Sequence, residues 1–263
     1  MGNTHVSETH SFFVVLVSMK QQATEGTTTT AGGGGEKRGE NKLSSSSRAR
    51  TTMSYYSGAH RSSLHAHYET GEYAKNSTFL EDEEYARALD CIVKGCADVL
   101  LRDSEGRILI GYRNVEPAAN GPWFIGGRIK VGDSVFQAAR INVRRECKID
   151  IKEERFEVVH TSTHVWAKRK QAPSENGTGD VIVVSTATIT DEEKANVEMV
   201  NTEYDGYAWK TPEEILKGEE FHPALKNAVK AMFFNMRQNK LIEAVREGKS
   251  DGEIAKLARE AFE

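Results

Sequence analysis

The stretch GPWFIGGRIKVGDSVFQAARINVRRECKID, residues 121–150, constrains the fold of this chain more than any other part of the sequence. A short apolar strand runs into the glycine doublet Gly126 and Gly127. Ser134 is followed three residues later by a glutamine, a capping box that predicts the first turn of an α-helix. That helix is expected to run to about Cys147. The stretch therefore predicts a strand, a turn and a helix in immediate succession.

One face of this predicted helix combines small or apolar residues with a single acid. Val135, Ala139, Asn142 and Glu146 form one stripe at helical spacing. An unpaired carboxylate on a buried face is costly, unless a cation lies beside it. Mg²⁺ takes oxygen ligands, and the bare backbone carbonyl of Gly126 could supply a second one. The alternative is that Glu146 is simply solvated near the end of the helix.

The rest of the chain divides into three parts. Residues 20–65 contain few apolar residues and many Thr, Ser and Gly, so we predict that residues 1–75 form a disordered, low-complexity N-terminal extension. Residues 76–235 mix strand-like and helix-like segments, which predicts an α/β domain layered around one mixed sheet. Residues 236–263 are predicted to form a C-terminal helical extension.

The composition excludes several classes of protein. A net charge of −4 gives no reason to expect a partner that is nucleic acid or a membrane surface. The three cysteines include no CxxC pair, which argues against zinc and against a disulfide framework. No apolar run approaches the roughly 18 residues that span a bilayer. We therefore predict a cytoplasmic protein, with organelle targeting by the N-terminal extension left open.

The segment GGRIKVGDSVFQAARINVRRECKI resembles the Nudix box, G-x5-E-x7-R-E-U-x-E-E-x-G-U. The match is degenerate. Ile141 and Asn142 stand in place of the Arg-Glu pair, Arg145 replaces the first of the paired glutamates, and Lys148 replaces the final glycine. Of the paired glutamates, only Glu146 remains.

Within that superfamily, the pattern resembles the GDP-mannose mannosyl hydrolases, which keep only the last glutamate of the box. Four segments of this chain occur in the family's order over roughly residues 78–235. They are the upstream segment that begins FLEDEEY, the entry WF…GGR, the later EYDGYAW and the helix FHPALKNAVKAMFF. The resemblance implies a Nudix-type α/β/α sandwich and a homodimer.

The resemblance also implies a metal site and a reaction. Mg²⁺ would be held by Gly126, Glu146 and Glu203, while water attacks the anomeric carbon of a nucleotide sugar and displaces the nucleoside diphosphate. The family's general base is a histidine, whose position is Tyr204 in this chain. Neutral tyrosine is a poor base. Glu203 or Asp205 is expected to substitute, so the predicted catalytic residues are Glu146, Glu203 and Asp205.

The implied substrate contacts come from two groups of residues. Arg113 and Arg128 match the arginines that clamp the diphosphate, a task that suits the planar guanidinium. Phe79, Leu80 and Tyr85 match the positions that contact the nucleotide, and Tyr85 is expected to stack on the base.

The predicted function is Mg²⁺-dependent hydrolysis of a nucleotide sugar, GDP-mannose being the example, to GDP and free sugar. One alternative is a Nudix phosphohydrolase that cleaves a P–O bond in another nucleoside diphosphate derivative. The other is a degenerate Nudix module that binds a nucleotide sugar or a protein without catalysis.

The helical angle places none of Arg140, Arg144 and Arg145 on the stripe of Glu146.

Overall fold

A computed structural model describes residues 65–69, 71, 75, 78–200 and 202–262. All of them belong to one compact unit, residues 49–263. Most of the predicted disordered extension, residues 1–75, lies outside the described residues. The described part of it, 65–69, 71 and 75, contains no helix or strand. Two of its residues contact the second helix of the domain or the turn before it: the ring of His65 lies edge-on to Phe136 at 5.8 Å, and Lys75 pairs with Asp133 at 2.9 Å.

The described residues form a seven-stranded mixed sheet. Its strands are β1 (Lys94–Arg102), β2 (Ile108–Arg113), β3 (Gly121–Trp123), β4 (Ile125–Arg128), β5 (Glu157–Trp166), β6 (Thr178–Thr188) and β7 (Tyr204–Lys210). Strand β1 is central. It pairs in parallel with β6 and antiparallel with β2 and β4, while β7 and β3 pair with β2 and β5 pairs with β6.

The described residues also form six α-helices. They are α1 (Asp82–Leu89), α2 (Val135–Cys147), α3 (Asp191–Ala195), α4 (Pro212–Lys217), α5 (Pro223–Arg246) and α6 (Asp251–Phe262). Helix α2 begins where its sequence predicts, because the Ser134 side chain accepts from the backbone N–H of Gln137 at 3.0 Å. The Gln137 side chain accepts from the Ser134 N–H at 3.1 Å in return. This reciprocal pair is the predicted capping box, and it is confirmed.

Helices cover both faces of the sheet, each over a separate apolar core. Alternate side chains of β1 point to opposite faces, so Val99 and Leu101 enter one core and Leu100 enters the other. The first core packs under α2 and includes Ala139 and Val143. The second packs under α4 and α5 and includes Ile215, Leu225 and Val229. The predicted α/β/α sandwich around a mixed sheet is therefore confirmed.

The C-terminal residues continue directly from the last helix that packs on the sheet. Helix α5 passes through residue 235, so the predicted boundary of the C-terminal extension falls inside a helix. Helix α6 folds back on α5, and the rings of Phe234 and Phe262 lie 6.2 Å apart. In the described part of the chain, no helix is both long and apolar enough to cross a membrane.

Candidate functional site

A cavity of about 360 Å³ lies on one face of the sheet, over β1 and β6 and beside α1. It brings together residues that are far apart in the sequence. The predicted site residues that line it are Phe79, Leu80, Tyr85, Arg113, Gly126, Arg128 and Glu203. The cavity therefore collects the predicted substrate-contacting residues and two of the three predicted metal ligands. Glu146 lies beneath the cavity lining, and Asp205 is not part of that lining.

Two of the predicted substrate contacts touch each other. The guanidinium of Arg128, at the end of β4, lies over the ring of Tyr85 at 4.9 Å from its centroid. This cation–π contact occupies one face of the ring that was expected to stack on a base. Phe79, just before α1, is 83% exposed, so its ring is available to a ligand.

Arg113 and Glu203 also contact each other rather than standing free. The Arg113 guanidinium lies 3.5 Å from the Glu203 carboxylate and donates from Nε to the carbonyl of Pro117 at 3.2 Å. It also lies 5.6 Å from the centroid of the Tyr204 ring. Glu203, predicted as a metal ligand, has an arginine as its partner.

Glu146 is buried at 2% exposure, as the stripe on α2 predicts. Its carboxylate accepts from the backbone N–H of Gly126 at 3.0 Å and from the Tyr204 hydroxyl at 2.7 Å. It also accepts from the guanidinium of Arg145. Burial raises the pKa of Glu146, and these three donors act against that rise. The carboxylate is therefore neither solvated nor unpaired: protein donors surround it.

Arg145 provides the cation that the sequence assigns to a metal. Its guanidinium contacts the Glu146 carboxylate and donates to the carbonyl oxygen of Gly126 at 3.3 Å. The helical angle correctly places Arg145 off the stripe, but its long side chain curls back over the neighbouring position. Helical angle gives the direction of each Cα position and not the reach of its side chain, so it does not predict this contact. We call Gly126, Gly127 and Arg145 the doublet wall of the cavity, because all three line it.

Of the doublet, position 126 requires a glycine, because β1 lies close to its backbone. A side chain at Gly126 would overlap the carboxylate of Asp98 on β1. A Cβ at Gly127 would lie 2.8 Å from the Arg145 guanidinium. The second carbonyl of the doublet is also occupied, since the Asn142 amide donates to the Gly127 oxygen at 3.0 Å. Asn142, which replaces a glutamate of the Nudix box, thus binds backbone here.

The predicted Mg²⁺ site does not fit these residues. The Gly126 carbonyl and the Glu146 carboxylate share the Arg145 guanidinium, and Glu203 is paired with Arg113. Mg²⁺ needs free oxygen ligands in near-octahedral geometry. Among the described residues, no group of three or more acidic, histidine or cysteine side chains is arranged to hold a metal ion. A fixed positive charge stands where the resemblance implies an ion.

Asp205, a predicted substitute for the general base, and Tyr204, at the position of the family's histidine, lie in different environments. Asp205 is exposed on β7 and accepts from the Asn114 side chain at 2.7 Å, away from the cavity lining. Tyr204 is buried, and burial together with the negative charge of Glu146 raises its pKa well above the ordinary value. The Tyr204 hydroxyl therefore serves as a hydrogen-bond donor, as expected of a poor base.

The structure adds polar residues that the sequence analysis did not select. Lys94 and Asp98 lie on the cavity face of β1, and Asp180 lies on the same face of the neighbouring β6. Lys94 pairs with Asp180, which also accepts from the Trp166 indole at 3.0 Å. Burial, and secondly the charge of Glu146, raise the pKa of Asp98 to about 7. The alternating polar positions in KGCAD were the available signal.

No protein-family model matches the chain, and no curated protein does. Among solved structures, the chain is similar to the MutT protein from Methanosarcina mazei Go1, with 16% identity and a TM-score of 0.44 over 56% of this chain and 96% of that one. It is similar to a MutT Nudix hydrolase from Burkholderia pseudomallei, with 18% identity and a TM-score of 0.44 over 53% and 98%. It is also similar to a C. elegans Ap4A hydrolase, with 15% identity and a TM-score of 0.38 over 53% and 95%.

Proposed function

We propose that this chain carries a Nudix-type domain that binds a nucleoside diphosphate derivative, with nucleotide sugars as the leading class, and that this binding needs no divalent ion. The sequence resemblance over residues 78–235 supports the family assignment. The cavity supports the ligand class, since it gathers the aromatic and cationic residues that the resemblance assigns to a nucleotide diphosphate.

The observation that carries the proposal is the position of Arg145. Its guanidinium binds the Gly126 carbonyl and the Glu146 carboxylate, the two ligands predicted for Mg²⁺. A guanidinium is always charged in proteins and pairs well with phosphate oxygens. Since the Arg145 side chain also lines the cavity and is half-exposed, it offers a ligand diphosphate a cation that the chain itself supplies.

The same contacts argue against hydrolysis at this site. Glu146 is engaged by three donors and Tyr204 is a buried donor, so neither is free to activate water. Hydrolysis of GDP-mannose with Mg²⁺, and cleavage of a P–O bond, would both require the Arg145 contact to open. The non-catalytic binding module is therefore the interpretation that the geometry supports best. The homodimer and the cytoplasmic location stay predictions.

Calorimetry with GDP-mannose tests the proposal. The titration is done once in EDTA and once in Mg²⁺, with the unmutated protein, Arg145→Ala and the matched control Arg144→Ala, whose side chain is exposed on the same helix. We expect equal affinity in both buffers for the unmutated protein and the control. We expect Arg145→Ala to bind about tenfold more weakly or worse, since a charge-assisted contact is lost.

Proton NMR of the same mixtures identifies any product. Release of GDP and mannose, or of GMP and mannose phosphate, would overturn the non-catalytic proposal and select one of the two hydrolytic alternatives. Binding that appears only with Mg²⁺ would overturn the metal-free proposal.

A further inference from the structure

A fourth arginine of the cavity lining lies in a segment whose sequence is that of a polar loop. Arg169, in the connection between β5 and β6, is only 1% exposed. Its Nη1 donates to the Asp90 carboxylate at 2.7 Å and to the carbonyl of Gly177 at 3.2 Å. Its Nε donates to the carbonyl of Gln171 at 3.2 Å. These three bonds hold the guanidinium in one orientation.

The remaining nitrogen of this guanidinium lacks a partner. Nη2 of Arg169 is buried and makes no hydrogen bond within the described part of the chain. A buried donor left unpaired destabilises a protein, and more so when it belongs to a charged group. Arg169 lines the cavity, so a ligand in the cavity could satisfy Nη2.

The loop that carries Arg169 is itself closed by hydrogen bonds. The Arg169 N–H donates to the Ser174 carbonyl at 3.0 Å, and the Ser174 hydroxyl donates to the Arg169 carbonyl at 2.7 Å. Gly177 must be a glycine, because a Cβ there would overlap the carbonyl of Trp166. The guanidinium is thus fixed before any ligand arrives, which lowers the entropy cost of binding.

Lys170 and Gln171 line the cavity beside Arg169, and we call these three residues the loop wall. Lys170 adds a second positive charge, and its side chain belongs to an exposed residue. By contrast, Arg113 already contacts Glu203 and the Pro117 carbonyl, and Arg128 lies over the Tyr85 ring. The loop wall therefore offers a buried, fixed and unsatisfied cationic donor that the predicted clamp does not.

We propose that the loop wall is a phosphate site, in which Arg169 Nη2 donates to a phosphate oxygen of the ligand's diphosphate. This inference rests on the proposed function and adds a position to it: a phosphate lies against the β5–β6 connection. Phosphate is the chemistry that fits, because its several oxygens accept from a fixed guanidinium and from Lys170 at once.

Arginine-selective ¹⁵N NMR of the full chain, titrated with inorganic pyrophosphate, tests this site in the unmutated protein. Single Arg→Lys variants assign the side-chain signals of Arg113, Arg128, Arg145 and Arg169. We expect the Arg169 signal to shift and to saturate with pyrophosphate. Calorimetry on Arg169→Gln should show pyrophosphate binding weakened about tenfold or more, while Lys168→Gln, an exposed neighbour outside the lining, should bind like the unmutated chain.

The outcomes separate this inference from the proposed function. If pyrophosphate binds and moves other arginine signals while that of Arg169 stays, the loop-wall site is wrong and the proposed function stands. If neither pyrophosphate nor GDP-mannose binds, the proposed function is wrong, and the loop-wall site, which rests on it, is wrong too. Should Arg169→Gln unfold, the titration of the unmutated chain still decides between these results.

Discussion

The doublet wall and the loop wall of the same cavity each contain an arginine beside a carboxylate, but they differ in how completely their groups are paired. At the doublet wall, Glu146 accepts from three donors, and the Gly126 carbonyl accepts from Arg145. At the loop wall, Asp90 and two carbonyls fix Arg169 and leave one of its nitrogens unpaired.

This difference separates a closed network from an open one. A closed network has no free ligand positions, so it excludes a metal ion and holds α2 against the glycine doublet. In an open network one donor has no acceptor, and the fold is less stable until a bound ligand supplies that acceptor. The doublet wall therefore holds the fold and presents to the cavity an arginine that is already paired, whereas the loop wall presents an arginine with one nitrogen unpaired.

The largest effect on stability is expected when the closed network at the doublet wall is disrupted. Glu146→Ala leaves the Gly126 N–H, the Tyr204 hydroxyl and the Arg145 guanidinium without their acceptor. We expect a loss of about 3–5 kcal/mol in the free energy of unfolding, measured by urea denaturation. The control Glu154→Ala, at an exposed position, should stay within about 0.5 kcal/mol. Equal losses in the two variants would show that the network does not hold the wall.

The second-largest effect on stability is expected when the doublet wall is converted into a metal site. Arg145→Glu places a second carboxylate beside Glu146, where like charges repel in the absence of a cation. We expect the variant to be less stable than the unmutated chain in EDTA. We also expect its Tm to rise with Mg²⁺, and an ion at a hundred times its Kd would contribute about 2.7 kcal/mol.

Two chains serve as references for that response. The unmutated chain and Arg144→Glu, changed at an exposed neighbouring position, should show no specific rise in Tm with Mg²⁺. If Mg²⁺ raised the Tm of the unmutated chain as much as that of Arg145→Glu, the doublet wall would already bind an ion. The distinction between a closed and an open network would then be wrong.

A smaller effect is expected at the loop wall, and it depends on pH. The hydrogen bond from Arg169, and secondly that from Asn176, hold the pKa of Asp90 below its ordinary value of 3.8. Because the folded-state pKa is depressed, Asp90 contributes stability above 3.8 and loses it as the pH falls through the folded value. Asp90→Asn should therefore be less stable at neutral pH and approach the unmutated chain in acid.

Urea unfolding of both chains, from neutral pH into the range below 3.8, measures this convergence. Glu175→Gln in the same loop region, at an exposed position, is the control and should follow the unmutated chain throughout. A difference between Asp90→Asn and the unmutated chain that persisted unchanged into acid would show that the ion pair with Arg169 does not position the loop.

Local sequence patterns predicted the elements well. The capping box opens α2 as predicted, because capping acts within a few residues. The apolar stripe that ends at Glu146 was predicted for the same reason, since helical angle decides which positions face the sheet. The resemblance, in turn, selected seven of the residues that line the cavity.

The remaining contacts depend on side-chain reach and on distant partners. Arg145 crosses from a neighbouring helical angle to Glu146 because its side chain is long and flexible. Arg169 is buried because Asp90, far away in the sequence, meets it in space. No spacing rule within KRKQAPSENGTG could show that this polar loop contains a buried cation, since the pair exists only once α1 and the β5–β6 connection are assembled.

The central claim is that Arg145 takes the place of a divalent ion at the doublet wall, and Mn²⁺ binding tests it most directly. Electron paramagnetic resonance of free Mn²⁺, titrated with the unmutated chain and with Glu146→Gln, counts any tightly bound ion. The account predicts that the unmutated chain binds no more Mn²⁺ than Glu146→Gln does. One tight site in the unmutated chain that disappears in Glu146→Gln would contradict the account and restore the metal-dependent hydrolase.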